Sequence, residues 1–183
     1  MSKKARNTLK MILVGDPSVG KTSLIQQYVH GRFKHSYQVT IGLDVLSKTI
    51  SLSDREIEIS INDIGGQARF ATLRQLFYNG THLAMLVYDC TRPQTLQNLI
   101  TTWNNELEKF CLPIEGQPHI VKIMVGNKVD LTDLRTVTEE EGIEIANKLH
   151  CINHIVASAK ENENVDLAFT EITKAYLGLI EKK

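Results

Sequence analysis

The most informative stretch of this chain is Gly15-Asp16-Pro17-Ser18-Val19-Gly20-Lys21-Thr22. Two glycines separated by four residues and followed by lysine and threonine are typical of a loop that binds nucleotide phosphates. Gly15 and Gly20 allow a tight loop whose backbone N–H groups point inwards, towards phosphate oxygens. Lys21 can reach the β and γ phosphates, and the Thr22 hydroxyl can bind a Mg²⁺ ion that bridges the same oxygens. The stretch therefore predicts a phosphate and magnesium site.

The residues on both sides of this loop are those that such a site requires. Residues 9–14 form an apolar run, interrupted only by Lys10, that is typical of a buried parallel strand. Residues 24–29 carry apolar side chains at helical spacing, and a helix that begins near Lys21 adds the positive end of its dipole. A glycine-rich turn that matches by chance does not explain a strand before the loop and a helix after it. The residues of this region expected to contact the nucleotide are Gly15, Asp16, Ser18, Val19, Gly20, Lys21, Thr22 and Ser23.

Length and composition predict a single globular domain with its own core. The chain has 183 residues, 42% of them hydrophobic, and its 21 Lys and Arg residues balance 21 Asp and Glu residues. A formal net charge of zero gives no electrostatic reason to expect nucleic acid as a partner. Residues 9–180 are expected to form the domain, and residues 1–8 a flexible basic tail that is either solvated or in contact with anionic lipid. We expect a monomer.

The cysteines and the hydropathy pattern bear on the cellular compartment. Cys90, Cys111 and Cys151 have no metal-ligand spacing, and reduced thiols are usual in the cytoplasm. The sequence shows no apolar run long enough to span a membrane and no signal peptide. No cysteine stands near residue 183, so prenylation is not expected for the sequence as written. We therefore expect a cytoplasmic protein, which is peripheral at a membrane if a lipidated C-terminus has been removed from this sequence.

Apolar strands alternate with amphipathic helices along the chain, which predicts an α/β fold with a mainly parallel sheet. The runs 83–88 and 120–125 suit central strands. Two strands separated by Ser53-Asp54 are the exception, because apolar and polar residues alternate between 56 and 62 in the second of them. We expect this pair to form an antiparallel hairpin at the sheet edge, with Asn62 on its solvent-exposed face.

A second motif, Asp63-Ile64-Gly65-Gly66-Gln67, stands where the second strand of this hairpin ends. A carboxylate at the end of a strand can hold Mg²⁺ directly or through water, which is the role expected of Asp63. Gly66 has no side chain, so its N–H can approach a γ phosphate, and Gln67 can orient the attacking water. The pattern is weak alone and gains specificity from its distance after a phosphate loop. Gln67 and Lys21 are therefore the expected catalytic residues.

Two further motifs predict which base is bound. Asn127-Lys128-Val129-Asp130 follows an apolar strand, and the Asp130 carboxylate can accept hydrogen bonds from the N1–H and the exocyclic amine of guanine. Adenine presents an acceptor at N1, which would leave a desolvated carboxylate unpaired and allows discrimination by roughly 10⁴ or more. The lysine of this motif can lie along the base plane, and its asparagine can join neighbouring loops. In Ser158-Ala159-Lys160, the Ala159 N–H can donate to the guanine O6.

In this order and spacing, the four motifs resemble those of the Ras superfamily of small GTPases, over nearly the whole chain. The likeness is strongest to the Rab branch, whose two switches and fourth strand resemble residues 40–42, 67–70 and 86–89. The resemblance implies a P-loop GTPase fold, with a six-stranded, mostly parallel sheet, one antiparallel edge strand and five flanking helices. It also implies GTP and GDP as ligands, Mg²⁺ as the cofactor, slow hydrolysis of GTP to GDP and phosphate, and a role in membrane traffic or signalling.

The resemblance implies further site residues and partners. Thr40 closes on Mg²⁺ and the γ phosphate in the GTP-bound state, Phe33 packs beside the guanine, and Tyr37 covers the phosphates. Residues 31–42 and 64–78 then act as switches that bind regulatory and effector proteins. The metal ligands expected are Thr22, Thr40 and Asp63. The nucleotide contacts expected beyond the first loop are Phe33, Tyr37, Thr40, Gly66, Asn127, Lys128, Asp130, Ser158, Ala159 and Lys160.

The chain departs from the family pattern at several positions. Pro17, which lacks an N–H, stands where Ras carries glycine, near the point where a partner's arginine enters. Ile64-Gly65 replaces Thr-Ala and creates a double glycine that resembles the Arf branch. The three positions at which Rab proteins present an aromatic triad hold Val45, Asn62 and Phe77. We therefore expect weaker binding of typical Rab effectors, because aromatic anchors carry much of such binding energy.

Two other functions are open on the residues alone. A nucleotide-locked G domain, which binds partners without cycling, is compatible with Pro17 and with the incomplete triad, but it would not need Thr40 and Gln67. A nucleotide kinase would share the phosphate loop, but that function explains neither the motif at 127–130 nor a glutamine that positions water.

Other polar and aromatic side chains receive structural interpretations. The six histidines have no partner at metal-ligand spacing, and we expect no metal role for them. Arg32, Arg69 and Arg74 are not expected to act as internal arginine fingers, because the family supplies that residue differently. Trp103 belongs to an apolar stripe at helical spacing and is expected in the core.

Overall fold

The computed structural model describes residues 7–33, 40, 43–52, 55–67 and 71–181. The strands are β1 Asn7–Val14, β2 Leu43–Leu52, β3 Arg55–Ile64, β4 Leu83–Asp89, β5 Val121–Asn127 and β6 His154–Ala157. They form one six-stranded sheet in the order β2-β3-β1-β4-β5-β6. The edge pair β2 and β3 is antiparallel, and every other neighbouring pair in the described sheet is parallel. The predicted α/β fold is therefore confirmed.

In the part of the chain that the structure describes, five helices flank the sheet, which is the number implied by the resemblance. They are α1 Lys21–His30, α2 Ala71–Tyr78, α3 (residues 93–110), α4 Glu139–Lys148 and α5 Val165–Ile180. Helix α3 is continuous but changes its hydrogen-bonding pattern, since Leu99–Trp103 forms a π-helical turn between Pro93–Asn98 and Asn104–Phe110. No helix among the described residues is long and apolar enough to cross a membrane.

The sheet separates two hydrophobic cores, because parallel strands with helices on both faces are buried on both faces. Met11 and Leu13 of β1 face the first core, together with Leu24 of α1 and Phe169 of α5. The alternate residues of β1 face the second core, which also receives side chains from α2, α3 and α4. Members of this second core are Ile12, Val14, Tyr78, Leu99, Trp103 and Ile145.

This topology brings the predicted motifs to one edge of the sheet. The phosphate loop follows β1, residues 65–67 follow β3, residues 128–130 follow β5, and residues 158–160 follow β6. These strands are parallel, so their carboxyl ends lie at the same edge. Ligands of open α/β sheets bind in the crevice outside this edge.

Two details of the sheet differ from the sequence prediction. β1 begins at Asn7, which pairs with Ile57, so residues 7 and 8 of the predicted tail belong to the sheet, and the rest of that tail lies outside the described residues. The pairing extends beyond the apolar run because β3 offers backbone partners there.

Asn62 was wrongly predicted on a solvent-exposed face: it is 4% exposed, and its Nδ2 donates to the Met11 carbonyl at 3.2 Å. Simple alternation fails there because the second core, which includes Ile64, covers this end of β3.

His82, which precedes β4, ties that strand to β1 through its ring. Its Nδ1 accepts a hydrogen bond from the backbone N–H of Lys10 at 2.9 Å, and the ring meets Tyr176 edge to face at a centroid distance of 5.5 Å. Burial lowers the pKa of His82, and a hydrogen bond with Gln117 opposes this only in part. The fold therefore stabilises the neutral imidazole, since only an unprotonated Nδ1 can accept from Lys10.

We expect the free energy of unfolding to decrease as the pH falls from 7.5 to 5.5, because unfolding takes up a proton at His82. The stability from the neutral ring is complete above the ordinary pKa of about 6.5 and is lost as the pH falls towards the lower pKa of the folded state. In His82→Gln, whose side chain does not titrate, urea unfolding should show a loss that is smaller by about 0.5 kcal/mol, a figure reduced for solvent screening of the half-buried ring.

His119→Gln is the matched control for this measurement, because His119 is exposed. A decrease in stability of the same size in the wild type and in His82→Gln would contradict the role given to His82.

Candidate nucleotide site

The phosphate loop, residues 15–20, joins β1 to α1 and depends on its two glycines. Gly15 has a φ of 145° and Gly20 a φ of 99°, values that other residues rarely adopt. A Cβ atom at Gly15 would lie 2.1 Å from the carbonyl oxygen of Val87, and one at Gly20 would lie 2.1 Å from Nδ2 of Asn127. The loop therefore packs against the ends of β4 and β5 with no room for a side chain at either glycine.

Lys21 is the first residue of α1, and its ammonium group lies inside the loop. The residue is 6% exposed, and Nζ donates to the carbonyl oxygens of Gly15 at 2.7 Å and Asp16 at 2.9 Å. Burial lowers the pKa of Lys21 to about 8, although the negative charges of Asp63 and Asp16 oppose the shift. A buried ammonium held by neutral carbonyl oxygens favours an anionic ligand, because phosphate oxygens would supply the missing counter-charge.

Thr22, Thr40 and Asp63 come together beside this lysine. Thr22 Oγ1 lies 2.7 Å from Thr40 Oγ1 and donates to Asp63 Oδ2 at 2.6 Å. Asp63 is 2% exposed, and within the described residues its Oδ1 has no hydrogen-bond partner. Burial raises the pKa of Asp63, while the Thr22 hydrogen bond and the Lys21 charge act in the opposite direction. Two hydroxyl groups and an under-satisfied buried carboxylate are the hard oxygen ligands that Mg²⁺ prefers, so the residues fit this ion.

The segment after β3 lies directly against the phosphate loop. A Cβ atom at Gly66 would lie 2.6 Å from the Gly15 carbonyl oxygen and 2.8 Å from Lys21 Nζ. This close approach explains the glycine and brings the backbone to the place where a γ phosphate would lie. The next residue, Gln67, is half-buried, and its carbonyl oxygen accepts a hydrogen bond from Arg74 Nη1 at 2.8 Å.

Asn127 joins the phosphate loop to the loop that follows β6. The residue is 2% exposed, and its Nδ2 donates to the Val19 carbonyl at 2.9 Å. Its Oδ1 accepts from the backbone N–H of Ala159 at 3.1 Å. Both contacts are buried, so the asparagine fixes the phosphate-binding and base-binding ends of the edge relative to each other.

Asp130 lies among polar groups at the other end of the edge. Its Oδ1 accepts from Ser158 Oγ at 2.7 Å, and its Oδ2 lies 3.9 Å from Lys160 Nζ. Lys128 Nζ lies 2.6 Å from Oδ2 of Asp89, a buried carboxylate at the end of β4. Burial alone would raise the pKa of Asp89, but hydrogen bonds from Lys128 and a neighbouring threonine outweigh it and hold the pKa below its usual value. Asp89 thus fixes the end of the Lys128 side chain, and Ser158 and Lys160 define where the Asp130 carboxylate lies.

The remaining predicted site residues differ in how far they are buried. Phe33 is half-buried and packs against the first core, and Ser23 is half-buried in the first turn of α1. Ser18 is exposed, whereas Val19 is buried. Tyr37 lies outside the described residues.

Asp16 does not direct its carboxylate to the lysine that its carbonyl binds. Oδ2 accepts from Asn98 Nδ2 and Oδ1 accepts from Trp103 Nε1, each at 2.7 Å. Trp103 is a core residue, as predicted, but its ring nitrogen also ties α3 to the phosphate loop. These partners lie more than 80 residues from Asp16 in sequence, and no spacing rule could have found them.

The contacts of two arginines near the loop were also not predicted from the sequence. Arg92 donates from Nε to Asp89 Oδ2 at 3.0 Å and from Nη2 to the Pro17 carbonyl at 3.2 Å. Arg74 is buried, and its guanidinium is bound by Glu106 of α3. Both guanidinium groups are therefore held by acidic side chains and by backbone carbonyls of the site.

Comparison with known proteins extends over nearly the whole chain. The sequence model of the Ras family matches residues 10–177. Ras-related protein Rab7 of Drosophila melanogaster is 40% identical over 179 residues, covering 98% of this chain and 85% of the relative. Ras-related protein RABG3b of Arabidopsis thaliana is 38% identical over 179 residues (97% and 87%). Ras-related protein Rab-1 of Theileria annulata is 36% identical over 166 residues (91% and 73%).

The family match begins within β1 and ends within α5, so it includes every motif of the site. The chain therefore belongs to the Ras family, where it is similar to Rab proteins, and is a small GTP-binding switch that hydrolyses GTP.

Proposed function

We propose that GTP lies along the carboxyl edge of the sheet, with its phosphates in the loop at 15–20 and its guanine beside Asp130. The observation that carries this proposal is the buried Lys21 ammonium, which lies inside the glycine loop and donates to carbonyl oxygens. A polyphosphate supplies the negative charge that these partners lack. The hydroxyl and carboxylate ligands described above would hold Mg²⁺, which neutralises charge on the β and γ phosphates when bound.

We assign the hydrolytic step to Gln67, with Lys21 as the residue that stabilises charge. Water attacks the γ phosphorus in line, the bond to the β–γ bridging oxygen breaks, and GDP and inorganic phosphate leave. Gln67 orients the water, while Lys21 and the N–H groups of the loop stabilise charge on the phosphate oxygens. The close packing of Gly66 against Gly15 supports this assignment. Without an arginine from a partner, we expect a rate constant of roughly 10⁻⁴ to 10⁻³ s⁻¹, as for Ras.

We propose that residues 31–42 and 64–78 bind regulatory and effector proteins. Near these segments Val45 is 52% exposed and Leu76 is 73% exposed, which supports protein partners. Asn62 is buried and does not replace the aromatic anchor of the Rab triad. We therefore expect effectors that do not require a large aromatic side chain at that position. A monomer that binds proteins rather than nucleic acid is also consistent with the balanced charge of the chain.

We further propose a cytoplasmic location. All three cysteines are free thiols, two of them buried, as is usual for proteins in a reducing compartment. Peripheral membrane association through a lipidated segment beyond this sequence stays a prediction.

A nucleotide-locked binding module is the second candidate function, and one observation favours it. Arg92 holds the carbonyl of Pro17, so the loop position near which a partner's arginine would enter is fixed from the side of α3. Such a module would bind GTP at the same site but would leave it unhydrolysed. The hydrolysis rate therefore separates the two candidates.

Asp130→Asn should weaken the binding of GDP and GTP by about a hundredfold or more, because an amide cannot accept from both guanine donors. The dissociation constants are measured by titration with fluorescently labelled GDP and by competition with unlabelled GTP. Asp133→Asn is the control, since Asp133 is exposed in the adjacent 3₁₀ turn. If Asp130→Asn binds guanine nucleotide as tightly as this control, the base-binding role of Asp130 is wrong.

Gln67→Leu should slow single-turnover hydrolysis by about tenfold or more without weakening GTP binding, because leucine cannot orient water. The rate is followed by separating GTP and GDP after loading with GTP and Mg²⁺. Gln75→Leu, at an exposed position on α2, controls for the loss of a glutamine in this region. Equal rates in the wild type and Gln67→Leu would refute the assigned role.

A further inference from the structure

Two side chains at the ends of the π-helical turn of α3, one just before it and one within it, contact the phosphate loop. Asn98 and Trp103 are five residues apart, and both donate to the carboxylate of Asp16 at 2.7 Å. In a regular α-helix such residues point about 140° apart around the axis, because each residue turns the helix by about 100°. The turn at Leu99–Trp103 has the wider i→i+5 pattern, which brings the two donors to one side. The π turn thus fixes α3 against the phosphate loop.

The same tryptophan also contacts an arginine of α2. The Trp103 ring lies 4.7 Å from Cζ of Arg74, within the range of a cation–π contact. Its N–H is already bound to Asp16, so one rigid side chain touches both the phosphate loop and the guanidinium. Trp103 therefore fixes the position of Arg74 relative to the loop that would hold the phosphates.

Glu106 of α3 holds the guanidinium of Arg74 from a second direction. Arg74 Nη2 donates to Oε1 at 2.8 Å and Nε donates to Oε2 at 3.1 Å, in a two-pronged contact. The Tyr78 hydroxyl donates to the same Oε2 at 2.7 Å. The Arg74 side chain is 4% exposed and that of Glu106 is 18% exposed. Charge-assisted, bidentate pairs with little solvent exposure have well-defined geometry.

A further donor of this fixed guanidinium reaches the segment that carries the proposed catalytic glutamine. Arg74 Nη1 donates to the carbonyl oxygen of Gln67 at 2.8 Å. On the other side of Gln67, Gly66 packs against Gly15 of the phosphate loop. Contacts thus fix the backbone on both sides of Gln67, and Arg74 makes the contact on the side of the helices.

We propose that Arg74 is a positioning residue for GTP hydrolysis, which fixes the backbone of Gln67 relative to the phosphate loop. Glu106 and Trp103 fix Arg74 in turn. The inference rests on the proposed role of Gln67 as the residue that orients water. Arg74 contacts neither water nor phosphate in this role and acts only through Gln67. A displacement of the order of 1 Å at a reacting group costs up to about a hundredfold in rate. Loss of the contact between Arg74 and the Gln67 carbonyl should therefore change the hydrolysis rate measurably.

The test compares single-turnover GTP hydrolysis with nucleotide affinity in Arg74→Lys and Glu106→Gln. Lysine keeps the charge and can pair with Glu106, but it has no planar fork with which to hold both Glu106 and the Gln67 carbonyl. We expect Arg74→Lys to hydrolyse GTP about ten- to a hundredfold more slowly, with the dissociation constants for GDP and GTP within about twofold of the wild type. Glu106→Gln should slow hydrolysis in the same way. Arg135→Lys, at an exposed position, is the matched control.

Thermal unfolding of each variant separates positioning from a structural role. A positioning role changes the hydrolysis rate in variants that stay folded and bind nucleotide. If Arg74→Lys and Glu106→Gln hydrolyse GTP at the wild-type rate, the proposal is overturned. It is also overturned if rate, affinity and melting temperature fall together in both variants, because Arg74 would then only stabilise the fold.

Gln67→Leu is measured in parallel to separate this inference from the function on which it rests. Slow hydrolysis in Gln67→Leu with wild-type rates in the Arg74 and Glu106 variants overturns only the positioning role. Wild-type hydrolysis in Gln67→Leu overturns the role of Gln67 itself, and the inference with it.

Discussion

The close packing of backbone and side-chain atoms against the glycines of the phosphate loop is the constraint on which the rest of the site depends. Gly15 lies against the carbonyl of Val87, Gly20 against Asn127, and Gly66 against Gly15, each at distances that exclude a Cβ atom. This packing encloses the Lys21 ammonium and leaves carbonyl oxygens as its hydrogen-bond partners. Burial and desolvation disfavour the charged form of this lysine. Its ammonium group therefore gains most from a ligand with dense negative charge. The affinity for a polyphosphate is thus a consequence of how the sheet edge is packed.

Helix α3 connects this edge to the region that is expected to move. Its π turn is tied to the phosphate loop through Asp16, and its next turn holds Arg74 through Glu106. A switch needs parts that stay fixed and parts that respond to the γ phosphate, and a carbonyl contact such as that of Gln67 lies at the boundary between them. Buried charge pairs have a single preferred geometry, so they suit this boundary better than an apolar contact would.

The fold, and the grouping of the predicted motifs at one edge of the sheet, could be predicted from the sequence, because both depend on local patterns. Apolar runs and helical spacing identified the strands and helices, and the spacing of the glycines identified the phosphate loop. Asn62 shows where such reasoning stops, since alternation along β3 does not reveal that the second core, which includes Ile64, reaches the end of this strand. The contacts of Asp16 with Asn98 and Trp103, and of Arg74 with Glu106, join residues distant in sequence. The π turn that makes the first pair possible has no sequence pattern that we could recognise.

The most direct test of this account is the identity and fate of the nucleotide on the purified protein. Nucleotide released from the protein is identified by HPLC, and the protein is then loaded with GTP and Mg²⁺ and sampled over time, with ATP in a parallel reaction. We expect bound guanine nucleotide, slow conversion of GTP to GDP, and no uptake of ATP. GTP that stays bound without conversion would contradict the hydrolytic role of Gln67 and favour a static binding module. Adenine nucleotide in the site would contradict the role of Asp130, and with it the central claim that this edge selects guanine.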